Sequence, residues 1–495
     1  MFRLRRVRID TQSEHVVFIH ERTVRDGALG FQPLDRVRVF HDGAEVTGVL
    51  NFCSDSLLAK DEIGLSEAAF EDIGIPERSL VSATHARSPG SLARVRAKLG
   101  GSRLSREDFD SILEDVVARR YSKPELSMFV LACALRNLDR DELVDFTGAM
   151  VDSGSRLSFD APVVADKHCI GGIPGNRTTM VVVPILASLG VLIPKTSSRA
   201  ITSSAGTADT MGALAEVELD AKRIYEVVSR VGGCITWGGA LDLAPADDVL
   251  ITVERPMQID TESQMVASIL AKKKTSGATH TLIDLPLGPS AKIRSQREAD
   301  EIGSLFQMVA QTLDLSVDIV VTDARGPIGR GVGPRLEALD VLSVLRREAD
   351  APQDLREKSL FLASRLLDRT GTGPGPSGYR AAQEALDSGR AEATFEAIVD
   401  AQGRRALPDA APFRHEIESK HDGRIREIDC LEINRIAKLA GSPANASAGL
   451  RLLRTVGEVV ERGEPLYEIH AQNEAQLEFA REYAESAADI VRYGY

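Results

Sequence analysis

The spacing of apolar residues changes period along the chain, and each change predicts a different kind of layer. Residues 5–9, 15–19, 36–40 and 45–50 form short alternating runs with turn residues between them. This period of two predicts a small β-rich unit over residues 1–84. Ser88, Pro89, Gly90 and Ser91 then read as a linker. Beyond it the spacing becomes helical: Phe109, Ile112, Leu113 and Val116, then Leu126, Phe129, Val130 and Cys133, then Leu143, Phe146 and Met150. Residues 139–141 supply turn and capping groups before the last of these, and the apolar stripes read as the core of a helical bundle.

From Ala161 onward strands and helices alternate, as in an α/β layer. Strands are expected near 281–284 and 317–321, and helices near 295–313 and after Gly333. A helix over 261–274 interrupts this layer and is expected to return to the helical domain. The Gly- and Pro-rich stretch 371–378 precedes a helical pair ending near Gly403, and short strands and a final helix occupy the tail from about 406. The expected fold is therefore multidomain α/β and α+β. It comprises a β-rich domain (1–84), a helical domain (85–160 plus about 242–277), a central α/β domain (161–241 plus 278–405) and a C-terminal α+β domain (406–495).

Chemistry concentrates in two loops of the α/β part. The first, DKHCIGGIPGN at 166–176, follows an extended apolar segment (161–165) and precedes a helix-like run (177–189). Glycines let backbone N–H groups approach a ligand, the helix N-terminus adds partial positive charge, and Lys167 adds a full one, which together suit a phosphate or oxyanion. The second, KTSSRAITSSAGTAD at 195–209, carries seven hydroxyls, Arg199 and Gly206, and enters a helix expected at 207–215. Two such loops meeting at the carboxyl edge of a sheet would form a ligand site. Rich in hydroxyls, amides and cations, it would suit free phosphate and a sugar.

These motifs, with APADDVLITVERPMQIDTESQMVASILAKKK further on, resemble the thymidine phosphorylase family, most closely its long branch that includes AMP phosphorylases. The resemblance runs from about Ser105 to Ser486, and the first 84 residues resemble the branch's extra N-terminal domain. It implies that inorganic phosphate displaces a base from C1′ of a pentose, with no cofactor, no metal and a homodimeric assembly. It also implies site roles. Phosphate would be held by Lys167, Gly171, Gly172, Ser197, Ser198, Arg199, Ala200, Ile201, Thr202, Ser203 and Thr207. Ser268, Lys272 and Lys292 would orient the substrate, and Asp260 would protonate the leaving base, with His168 positioning the base or transferring a proton. Asp260 also suits the N-cap of the helix that carries Ser268 and Lys272 on one face. Cys169 stands where relatives usually have a phosphate-binding serine, and a thiol is the weaker donor. Arg255 matches a family arginine, but its spacing to Asp260 is shorter than the family pattern. Lys273 and Lys274 are expected to be a solvated charge run.

Composition narrows the substrate. A formal charge of −13 argues against general nucleic-acid binding, so phosphate recognition must rest on a few local cations. Lys195, Arg199, Lys272 and Lys292, together with the resemblance to the AMP phosphorylase branch, tilt the expectation toward a nucleoside 5′-monophosphate such as AMP, with a nucleoside such as thymidine as the alternative. Five scattered cysteines without CxxC spacing fit a reducing compartment. The basic opening MFRLRRVRID leads into TQSEH rather than an apolar core, and the apolar run 180–194 is too short to span a bilayer. A cytoplasmic, soluble protein without a membrane or nucleic-acid partner is expected. The competing class is a carrier or binding module, because GLRLLRTVGEVVERGEPLYEIHA resembles a biotinyl or lipoyl hammerhead. A carrier needs a modifiable lysine at a hairpin tip, and the nearest, Lys438, lies upstream.

Overall fold

The structure, a computed structural model, describes residues 1–27, 30–200, 203–259, 261–371, 377–487 and 489–494. Its contacts divide it into two compact units, residues 1–154 with 244–271, and residues 155–243 with 272–495.

In the first unit the alternating N-terminal runs close into a barrel. Around it run Phe2–Arg6, Glu62–Leu65, Val16–His20, Ala44–Cys53, Arg36–His41 and Leu80–His85, the last pairing back with the first. Closure leaves no free edge, and alternate residues such as Leu4, Val17, Ile19, Val37, Val39 and Ile63 fill the interior. Helices Leu92–Leu99, Arg106–Val117, Lys123–Leu135 and Arg140–Asp152 follow. Capping boxes at Ser105, Ser122 and Asp139 fix the starts of the last three by satisfying otherwise unpaired N–H groups. Phe109 and Phe129 pack on Phe146 at ring-centroid distances of 5.2 and 6.0 Å, so the helical apolar stripes do form this core. Pro245–Met257 and residues 262–271 of the helix Glu262–Thr275 belong to the same unit.

The second unit is built on parallel strands. Ala165–Cys169 and Ser316–Asp323 flank His280–Leu287, with Leu282 opposite Lys167 and Asp284 opposite Cys169. A parallel bridge from Val164 to Leu192 leads to Ile193–Ser197, which pairs in parallel with Gly233–Trp237. The apolar helix Thr178–Ser188 packs between this layer and the helices Gln353–Thr370 and Arg390–Gln402, which explains why it is buried on every side. The apolar segment 161–165 was read as extended chain leading into the motif, whereas the strand is the motif's own start, with Lys167, His168 and Cys169 inside it. The tail forms two small antiparallel sheets and the helices Cys430–Leu439 and Glu474–Ser486. Lys438 lies in the first of these helices, and residues 461–464, in the turn between Val459–Val460 and Pro465–Ala471, carry no lysine. No described helix is long and apolar enough to cross a membrane.

Candidate active site

Both candidate loops leave the carboxyl ends of adjacent parallel strands. The first turns at Gly171 and Gly172, whose φ values of +93° and +91° are open to glycine and strained for other residues. The loop then enters the helix beginning at Thr178. Lys167 is 1% exposed, and its ammonium donates to Thr178 Oγ1 at 2.9 Å and lies 3.9 Å from Asp284. Asp284, fully buried, is also 3.2 Å from the Lys358 ammonium and accepts from Thr322 at 2.6 Å. Burial lowers the Lys167 pKa from its ordinary value, while Asp284 opposes that drop. Burial also acts on Asp284, yet Lys358 and Lys167 outweigh it and hold its carboxyl below the usual range. The result is a buried cation, fixed by a carboxylate and a hydroxyl, beside a glycine turn and a helix N-terminus.

The opposite face of the same strand holds a second buried charge cluster. Asp166 lies 3.1 Å from Lys273 and 3.6 Å from Lys195. Lys273 is therefore no solvated charge but a buried partner of Asp166, which corrects the sequence expectation. Burial brings the Lys195 pKa down to about 7, with Asp166 opposing. Half-buried His168 sits among these groups. Burial first, then Lys273, Lys195, Lys167 and Lys272, push its pKa well below 6.5, so its imidazole is neutral at neutral pH.

This environment sets a sign for stability. The unfolded chain takes up a proton at this histidine near pH 6.5, and the folded chain resists it, so acidification below that point favours unfolding by up to ~1.4 kcal/mol per pH unit. The melting temperature should fall less between pH 7.5 and pH 5.5 in His168→Gln than in the parent. Equal falls would show that His168 is protonated in the folded protein.

The second loop is laced from within. A Cβ at Gly206 would lie 2.5 Å from Ser198 O and 2.8 Å from Ala200 N, so only glycine fits. The Asp209 carboxylate accepts from Ala200 N at 2.7 Å and Gly206 N at 2.8 Å. The Arg199 guanidinium pairs with Glu218 and covers the Trp237 ring at 4.8 Å. Ser203 Oγ donates to Ala205 O, and Arg177, paired with Glu337, donates to Thr207 Oγ1 at 2.9 Å.

The predicted residues thus fall into groups. Lys167, Gly171, Gly172 and exposed Lys292 share one loop cluster, the Lys292 backbone lying against Gly172. Ser197 and Ser198 have hydroxyls with no partner among the described residues, whereas Ala200 N, Arg199 and Ser203 Oγ are already engaged within the loop. Ser268 lies in the first unit and Lys272 in the second. Asp260, Ile201 and Thr202 lie outside the described residues, and the cap expected of Asp260 is supplied instead by Thr261, whose hydroxyl accepts from Gln264 N at 3.2 Å at the start of the helix Glu262–Thr275. Sequence reasoning assigned no role to Asp284, Lys358, Thr178 or Arg177. Asp284 was visible as a lone acid within the apolar LIDLPL, and Thr178 as the first hydroxyl after the motif. Lys358 and Arg177 gave no local signal. Among the described residues, no group of three or more His, Cys, Asp or Glu is placed to hold a metal ion.

Comparison with known proteins accounts for this arrangement. Residues 94–154 match the helical bundle domain and residues 161–392 the a/b domain of a glycosyl transferase family, and residues 424–491 match the pyrimidine nucleoside phosphorylase C-terminal domain. A protein of Polaromonas sp. named "Putative thymidine phosphorylase" is 48% identical over 489 residues, covering 99% of this chain and 96% of that one. One of the same name from Methylococcus capsulatus is 47% identical over 485 residues, covering 97% and 94%. The crystal structure of anthranilate phosphoribosyltransferase from Thermus thermophilus superposes with a TM-score of 0.53 at 19% identity, covering 62% of this chain and 98% of that one, a likeness of fold alone. With its lysine-glycine loop, its hydroxyl-rich loop and near full-length identity to these relatives, the chain belongs to the thymidine phosphorylase family of glycosyltransferase-type enzymes.

Proposed function

We propose that the chain catalyses phosphorolysis of a pyrimidine nucleoside such as thymidine. Inorganic phosphate attacks C1′ of the pentose, the C1′–N bond to the base breaks, a C1′–O bond to phosphate forms, and a proton passes to the departing base. The observation that carries this reading is the buried Lys167 ammonium, fixed by Thr178 and Asp284 beside the Gly171–Gly172 turn. A fixed cation with converging N–H groups and hydroxyls suits a dianionic nucleophile and holds it in line for attack. Ser197 and Thr207 supply hydroxyls from the second loop, and Ser268, Lys272 and Lys292 orient the nucleoside. Asp260 is the proton donor, and neutral His168 serves as a hydrogen-bonding partner rather than as the acid. The scheme calls for no metal or organic cofactor. Five free cysteines support a reducing, cytoplasmic setting, and the family resemblance supports a homo-oligomer.

The choice of nucleoside over nucleotide rests on the cations. Of the four that favoured a 5′-phosphate, Lys195 is buried against Asp166, and Arg199 is held by Glu218 and Trp237. The deciding experiment measures phosphate-dependent base release from thymidine, uridine, cytidine, AMP and CMP. Thymidine or uridine should give the highest kcat/KM, and a preference for AMP or CMP would restore the 5′-monophosphate reading.

Cys169 offers a graded check of the phosphate site. Its thiol accepts from Asn176 Nδ2 at 3.3 Å, and burial pushes its pKa up, so it stays a neutral, weak donor. Cys169→Ser should lower the apparent KM for phosphate by about 2–12-fold, the worth of one net hydrogen bond. Phosphate saturation curves that superimpose would place the thiol outside the phosphate's reach.

A further inference from the structure

The first unit holds a cavity of about 440 Å³ between barrel and helices, built wholly from residues to which the reading above gives no part. Arg36 and Thr47 line it from the barrel, Arg87 and Ser91 from the linker, and Ser111 and Asp115 from the helix Arg106–Val117. Its size is that of a small-molecule site, and the larger part of its wall is polar. Part of the wall is rigid. Asp115, 7% exposed, accepts from Ser91 Oγ and lies 3.0 Å from the Arg120 guanidinium, while Tyr121 OH meets Ser91 Oγ at 2.8 Å. Arg36 is held by Glu125 and the Arg120 carbonyl. The remainder is unsatisfied. The exposed Arg87 guanidinium and the hydroxyls of Thr47 and Ser111 have no hydrogen-bond or ion-pair partner among the described residues.

The geometry points to a second ligand site in this cavity, for a small hydroxylated phosphate monoester of the pentose phosphate class. Arg87 is the one lining arginine, among the described residues, whose charge no carboxylate balances, and a guanidinium fork matches phosphate oxygens. The Asp115 and Glu114 carboxylates accept from sugar hydroxyls, which an inorganic anion lacks, and Thr47 and Ser111 add donors from opposite walls. A ligand so held touches barrel, linker and helix at once and ties them together.

Calorimetric titration of the full chain with ribose 5-phosphate tests this, with ribose and inorganic phosphate as half-ligands and AMP as the nucleotide carrying the same group. Binding of ribose 5-phosphate or AMP is expected, their ratio showing whether a free sugar phosphate or a nucleotide is preferred. Arg87→Ala should weaken binding by about tenfold or more, as loss of a charge-assisted phosphate contact does. Ser111→Trp should remove it by filling the cavity. Both positions are exposed, so both variants should fold and turn over nucleoside like the parent without added sugar phosphate. Lys167→Met should bind as the parent does, which separates this site from the catalytic one. No binding of either phosphate ester to the parent, or binding unchanged in either Arg87→Ala or Ser111→Trp, overturns the assignment.

Discussion

Replacing Lys167 with methionine should weaken the apparent affinity for inorganic phosphate by about 10–150-fold and lower turnover at any attainable phosphate concentration. A hydrogen bond to a charged group is worth about 1.5–3 kcal/mol, and each 1.4 kcal/mol is a factor of ten. The glycine turn and helix N-terminus supply only partial charges, so they do not replace the ammonium. Folding should survive. Methionine keeps the stem's volume, and Asp284 retains the Lys358 ammonium at 3.2 Å, so no buried carboxylate is left without a counter-ion. The measurement is the phosphate dependence of initial rates in a variant whose melting temperature is near the parent's. An unchanged phosphate KM in such a variant would take Lys167 out of the phosphate site.

The larger loss in turnover should come from Asp260→Asn. A general acid contributes about 10²–10⁴-fold in rate, and asparagine removes the transferable proton while nearly keeping the side chain's size. His168 does not substitute, because burial and the surrounding lysines keep its imidazole unprotonated at neutral pH. Substrate affinity should persist, and a nucleoside whose base departs without protonation should be cleaved nearly as fast by the variant as by the parent. If Asp260→Asn instead lowers the melting temperature and leaves the rate of the folded fraction intact, the aspartate serves stability and is not the acid.

Periodicity made most of the architecture legible. In the barrel and the helical bundle one face of each element is buried and the other wet, so the pattern of two or of three and four reports the element directly. The same holds for helix Gln296–Thr312, and the strand His280–Leu287, buried along nearly its whole length, was legible instead as a short apolar run, both lying within a few residues of where they were expected. The strand Gly233–Trp237 was not anticipated. Like the start of Ala165–Cys169, it is a buried strand in parallel pairing, its partner being Ile193–Ser197, and burial on both faces removes the alternation.

Site chemistry divides in the same way. The sequence by itself determined the two loops, because Gly171, Gly172 and Gly206 are demanded by local backbone geometry and the hydroxyls lie within a short span. It could not determine which charges are free. Lys273 reads as one of three consecutive lysines, yet it is buried against Asp166, 107 residues away in the chain. Arg199 reads as a phosphate ligand, yet its guanidinium lies on Trp237 and Glu218. Asp284 meets Lys358 and Arg177 meets Glu337, again between residues far apart in sequence. A buried charge persists only when an opposite charge reaches it. Which residue supplies that charge is decided by strand register and helix packing, so the tertiary structure alone shows which cations remain for a ligand.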